Sequence, residues 1–105
     1  MQKLSDAEEI MMSLLWTASE DPDLNELMRR TDAEFGKPWK LQTIATFMKR
    51  LENKKYVSIY RIGRYSHYHA EVKIEDYKRE KLNEMKLRLF RNDIDELKAF
   101  VQNME

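Results

Sequence analysis

The chain has 105 residues, 42% of them apolar, with a mean hydropathy of -0.78, enough for one small core and too little for two. No apolar run exceeds three residues, as in Ile10-Met11-Met12 and Leu14-Leu15-Trp16, which excludes a membrane span of roughly 20 apolar residues; the absence of cysteine excludes disulfides, thiolate catalysis and cysteine-based metal sites. The 19 Lys/Arg and 19 Asp/Glu cancel, but unevenly: residues 1–36 hold three basic against nine acidic side chains, residues 70–105 eight against nine, and residues 37–69 eight against Glu52 alone, so the middle third should carry a positive field.

The first helix is predicted to start at Ser5, which can cap it while Glu8 reaches back in a capping box. Ile10, Met11, Leu14 and Leu15 give it an apolar stripe, and it should end near Thr17. This segment carries Asp6, Glu8 and Glu9 without a basic start and a following apolar stretch, so no signal peptide is read there and a cytoplasmic location is expected. The second helix is expected to open at Asp21-Pro22, with Asp21 as N-cap and Pro22 in the first helical position. Leu24, Leu27, Met28, Thr31 and Phe35 keep helical spacing, and Gly36 supplies a stop.

A third helix is predicted from about Lys40 to Lys54. At 100° per residue, Leu41, Ile44, Ala45, Met48 and Leu51 share one face. Gln42, Thr43, Thr46, Lys49, Arg50 and Asn53 share the other, which holds short hydrogen-bonding groups and two cations but no acid. Such a face suits the DNA major groove, where Gln, Thr and Arg read base edges or phosphates and a carboxylate would be repelled; the plain alternative is a solvated helix face. After Lys54-Lys55 the period changes to 2 over Tyr56–Ile62 and Tyr65–Ala70, a β-hairpin with Gly63 in its turn and Arg61 and Arg64 beside it. Three helices followed by a basic hairpin is the order of a winged helix, whose third helix enters the major groove while the wing contacts the backbone or adjacent minor groove.

Ile74, Tyr77, Leu82, Met85 and Leu89 then follow helical spacing, with a break at Arg91-Asn92 and a restart at Asp93, where Glu96 completes a capping-box pattern. Ile94, Leu97, Val101 and Met104 continue the apolar stripe. Because the winged-helix core is complete by about Ala70, the two C-terminal helices are expected to form an apolar seam used for dimerisation through Leu82, Met85, Leu89, Ile94, Leu97, Val101 and Met104.

Leu4-Ser5-Asp6-Ala7-Glu8 with the stripe ending in Leu15-Trp16, then Trp39, Thr43-Ile44, Thr46, Lys49-Arg50-Leu51, Lys54-Lys55-Tyr56 and the aromatic strand Tyr65–Tyr68, resemble the penicillinase repressor (BlaI/MecI/CopY) family of bacterial transcriptional regulators. The resemblance covers about residues 4–75 and implies a homodimeric repressor on a dyad operator. It also implies base or phosphate contacts for Gln42, Thr43 and Thr46, with Arg50 nearby on the backbone. The chain departs from the family pattern where members often have Ser-Pro after the tryptophan, since Lys40-Leu41 stands there and Lys cannot cap a helix. Ala45 stands where members can carry a longer polar residue. No Asn-Phe dipeptide, the bond cut in members with a proteolytic switch, occurs here, and the cysteine cluster of copper-responsive members is missing.

His67 and His69 point to one side of their strand with Glu71, a weak metal-site pattern for which surface histidines are the simpler account. Trp39, Tyr60, Tyr65 and Tyr68 are expected to cover the hinge between helix and wing. No nucleophile, phosphate loop or carboxylate pair in a recognisable setting points to an enzyme. The sequence therefore predicts a mainly α fold with a small antiparallel hairpin, a DNA-binding domain over 1–72 and a dimerisation segment over 73–105. The DNA-facing set is Lys40, Gln42, Thr43, Thr46, Lys49, Arg50, Arg61 and Arg64; no cofactor, metal or membrane partner is expected. The alternative is a winged helix used for protein or RNA binding.

Overall fold

The computed structural model describes residues 1–104, and the chain divides into two compact units, residues 1–72 and the segment from Lys73 onward. In the first unit Ser5 starts helix α1 (Asp6–Trp16) with a complete capping box: its hydroxyl accepts from the Glu8 amide at 3.2 Å and its own amide donates to Glu8 Oε1 at 2.7 Å. Two backbone donors that would otherwise be orphaned are satisfied reciprocally. The helix buries Met11, Met12, Leu14 and Leu15.

Helix α2 (Leu24–Phe35) begins two residues later than the sequence suggests, because Asp23 rather than Asp21 is its N-cap, accepting from the Glu26 amide at 2.9 Å. Residues 21–23 are instead drawn out along the hairpin, where Pro22 O accepts from the Tyr68 amide at 3.1 Å and Asp23 bridges to His67. Lacking an N–H, Pro22 suits such an edge. The helix closes at Gly36 (φ +63°), whose amide donates to Asp32 O at 2.9 Å, an αL cap that a residue with a Cβ adopts only with strain. Arg30 locks α2 onto the end of α1 by donating to Leu14 O at 2.8 Å and to Thr17 Oγ1 at 2.9 Å while pairing with Glu34.

Helix α3 (Leu41–Asn53) buries Ile44, Met48 and Leu51. Leu41, expected on the same face, is exposed together with Lys40, Gln42 and Thr43 around it, so burial on this helix begins only at Ile44. Lys40 occupies the N-cap without a side-chain hydrogen bond. Lys55 (φ +66°) turns the chain into the antiparallel strands β1 (Val57–Ile62) and β2 (Tyr65–Ala70), paired from Val57↔Ala70 to Ile62↔Tyr65 around the two-residue turn Gly63-Arg64. Gly63 (φ +61°) leads that turn, as the tight hairpin loops that match strand twist require. Tyr56, Val57 and Tyr68 bring the hairpin base into the helical core. Trp16 Nε1 donates to Val72 O at 2.8 Å, fastening the strand exit to α1.

The second unit consists of α4 (Ile74–Leu89) and α5 (Ile94–Gln102), separated by Arg91 and Asn92 in left-handed conformations (φ +51° and +60°). Asp93 caps α5 by accepting from the Asp95 and Glu96 amides at 2.9 and 3.3 Å. The expected box is half formed, since the Asp93 amide donates to Phe90 O at 2.8 Å rather than to Glu96. Phe90 and Phe100 pack with ring centroids 5.6 Å apart. Of the expected seam only Leu97 is buried; Leu82, Met85, Leu89, Ile94, Val101 and Met104 are exposed, as is Leu87, which lies outside the expected seam. No helix among the described residues is long and apolar enough to cross a membrane.

Candidate nucleic-acid interface

The outer face of α3 carries the groups that the helical period assigns to it. Gln42, Thr43, Thr46, Lys49, Arg50 and Asn53 are all exposed, and Lys40 is exposed just ahead of them. Thr46 Oγ1 donates to Gln42 O at 3.0 Å, which spends its hydrogen on the helix and leaves its oxygen lone pairs and methyl group for a partner. Lys49 lies 2.7 Å from Glu52, so the one acid of the basic segment is neutralised at the rim of this face. Among the described residues Lys40, Arg50 and Arg64 have no ion-pair partner, and their charge is available to an anion.

Beside this helix the hairpin tip is solvent-exposed over Tyr60–Tyr65. Arg61 and Arg64 flank Gly63, and an Arg61 amino group reaches Arg64 O at 3.4 Å. Ile62 and Tyr65 close the strand pairing with exposures of 59% and 50%. The tip thus presents two guanidinium groups around a small apolar pair.

The junction of α3 and hairpin is fixed by contacts the sequence did not reveal. Glu8 is 2% exposed; its Oε1 lies 2.7 Å from Lys54 Nζ, which also donates to Lys3 O at 2.8 Å, while its Oε2 has no hydrogen-bond partner. Burial alone would raise the Glu8 carboxyl, yet Lys54 and Ser5 together hold it below the usual carboxylate range. Tyr56, one residue before β1, donates to Gln2 O at 2.6 Å. Of the four aromatic residues expected to cover this hinge, only Tyr68 is buried. Trp39 packs edge-on to Phe47 with centroids 5.0 Å apart, Tyr65 sits at the tip, and Tyr60 turns toward Asp21. Tyr56 takes the buried hinge position.

The wing histidines meet Asp21. His67 Nδ1 lies 2.8 Å from Asp21 O, and His69 Nδ1 lies 3.1 Å from both carboxylate oxygens; a carbonyl or carboxylate only accepts, so both rings carry hydrogen on Nδ1. Tyr60 donates to Asp21 Oδ2 at 2.7 Å and stacks on His67. Burial would raise the Asp21 carboxyl, but Tyr60 and His69 bring it below its ordinary value, and Tyr60 is pushed up in return. Glu71 is not gathered with the histidines, and among the described residues no three His, Asp or Glu side chains are set to hold a metal ion.

Known structures share this architecture. The DNA-binding domain of the repressor BlaI is 29% identical with a TM-score of 0.61, over 73% of this chain and 94% of that one. The Bacillus licheniformis BlaI monomer, solved in complex with the blaP half-operator, is 28% identical with a TM-score of 0.58, over 72% and 89% of the two chains. The peroxide sensor PerR of Streptococcus pyogenes, 18% identical over 65% of this chain and 47% of its own at a TM-score of 0.55, shares the fold. No curated protein sequence matches the chain. The model of the penicillinase repressor family matches residues 4–105. With its winged helix and its third-helix motif in place, the chain belongs to the penicillinase repressor family of DNA-binding transcriptional regulators.

Proposed function

We propose that this protein is a cytoplasmic, homodimeric repressor that binds a dyad operator in double-stranded DNA, placing α3 in the major groove and the hairpin on the backbone or in the adjacent minor groove. The observation that carries this reading is the exposed, acid-free face of α3 next to a protruding hairpin tipped by two arginines, within a segment of eight basic residues and one acid. Gln42, Thr43 and Thr46 are assigned to bases. Lys40, Lys49, Arg50, Arg61 and Arg64 are assigned to phosphates, which position the protein without reading sequence. The BlaI structure on a half-operator supports the assignment by similarity.

Dimerisation is assigned to the second unit. A single chain of 105 residues that exposes Leu82, Met85, Leu89, Ile94, Val101 and Met104 on two neighbouring helices leaves an apolar stripe that a second copy would cover. Leu97, already covered, would support the shape of that surface.

The test is a titration of labelled duplex DNA, and of duplex RNA of the same sequence, across a salt series. The expected result is tighter binding to DNA, with affinity falling linearly as salt rises on a logarithmic plot. Equal or tighter binding to RNA, or no binding to either, would overturn the reading in favour of an RNA- or protein-binding winged helix.

A further inference from the structure

The turn between α1 and α2 meets both strands of the hairpin at one residue. Asp21 takes the Tyr60 hydroxyl of β1 at 2.7 Å and the His69 ring of β2 at 3.1 Å on its carboxylate, and the His67 ring of β2 at 2.8 Å on its backbone oxygen. Tyr60 and His67 are also a register pair, stacked with centroids 5.7 Å apart. Only the pairs Arg61↔Ser66 and Ile62↔Tyr65 lie beyond them toward the turn. The hairpin is therefore anchored at the last pair before it overhangs, and at about 3.3 Å per residue Arg61 stands one residue and Arg64 three residues further out. A small tilt at the anchor is amplified at the tip, where a guanidinium must meet a phosphate within hydrogen-bond distance.

Asp21 is poorly explained as a fold-stabilising residue. Its side chain is 30% exposed and stands outside the core formed by Met11, Leu27, Ile44, Met48 and Leu51. Its charge is also of the wrong sign for a neighbour of a wing that is to bind phosphate, and Glu20 beside it adds another. If only net charge mattered, removing it should strengthen DNA binding.

We propose that Asp21 is a positioning residue for DNA recognition: by holding Tyr60, His67 and His69 it fixes the root of the wing and thereby the place at which Arg61 and Arg64 meet the DNA. The proposal rests on the DNA-binding reading above and deepens it. It makes the α1–α2 turn, which touches no DNA in this scheme, a determinant of affinity.

The test is a double-mutant cycle on the full chain, measured with one duplex at one salt concentration. Asp21→Ala is expected to weaken binding by about three- to tenfold, against the electrostatic expectation, and to lower the salt dependence as Arg64→Ala does. In the Arg64→Ala background the same change should cost less than about twofold, whereas combined with Thr46→Ala on α3 it should cost its full factor. Asp21→Asn and Tyr60→Phe, which preserve more of the turn, should follow the same pattern with smaller losses; they decide the matter if Asp21→Ala fails to fold by circular dichroism. Unchanged or tighter binding by the Asp21 variants, or an equal loss with and without Arg64, would overturn the positioning role. Wild-type protein that binds no duplex, or that is indifferent to Arg64→Ala, would overturn the DNA-binding or wing assignment itself and the proposal with it.

Discussion

In the proposed complex Thr46 and Gln42 are the residues that separate reading a sequence from merely holding DNA. Thr46 keeps its oxygen lone pairs and methyl outward after bonding Gln42 O, so it can accept from a base amino group or pack on a thymine methyl. Thr46→Ala and Gln42→Ala should each cost about 1–2 kcal/mol on a preferred site and little on random DNA, whereas Arg64→Ala should cost the same on both and reduce the salt slope by about 1; competition binding with the two DNAs separates these outcomes. The exposed face of α3 was legible because a period of 3.6 alone assigns it. The Glu8–Lys54 pair was not, since 46 residues separate its members and no local pattern joins them. Because Glu8 is held below its ordinary pKa, its contribution is fully present above about pH 4.5 and is lost as pH falls through the lower folded-state value. Glu8→Gln should destabilise the fold by about 1–3 kcal/mol at pH 7 and less at pH 3, a convergence that urea unfolding at the two pH values would show. A constant difference would contradict the ion pair's role.

Helices and strands were legible wherever a local signal decides them. Ser5 with Glu8, Gly36, Gly63 and the change of period after Lys55 are such signals, and the elements they bound are present. The start of α2 differs from the sequence expectation because Asp21-Pro22 and Asp23 are equally good local caps; contacts from the two hairpin strands, 39 to 46 residues away, draw the first two into the wing and leave the third to cap the helix. The aromatic residues were misplaced for a related reason, since strand alternation gives the side to which Tyr60 points but not the loop it finds there. Gly36→Ala tests the local logic. A Cβ at Gly36 meets no atom within 4 Å, so the cost is the left-handed backbone alone, about 1 kcal/mol by denaturant unfolding. A neutral substitution would show that the cap relaxes to another closure.

The molecule as a whole joins a unit that exposes an acid-free helix face and a basic hairpin to a unit that leaves apolar side chains uncovered. The sequence announced both, through the charge block at 37–69 and the stripe from Leu82 to Met104, but the stripe alone did not show that Leu97 would be internal and the rest open. Leu89, 72% exposed, is the sharper probe of the proposed interface. Leu89→Asp should yield monomers in sedimentation with the melting transition intact, and should lower affinity for a full dyad by about 100-fold, toward that of a half-site; persistent dimers would move the interface elsewhere. The most direct test of the account is selection of duplex DNA from a random pool by the purified protein at near-physiological salt. A dimeric operator-binding repressor should enrich an inverted repeat with half-sites about 34 Å apart or a multiple of it, one or more turns of the double helix. Recovery of no shared motif, with only weak and salt-labile binding, would contradict it.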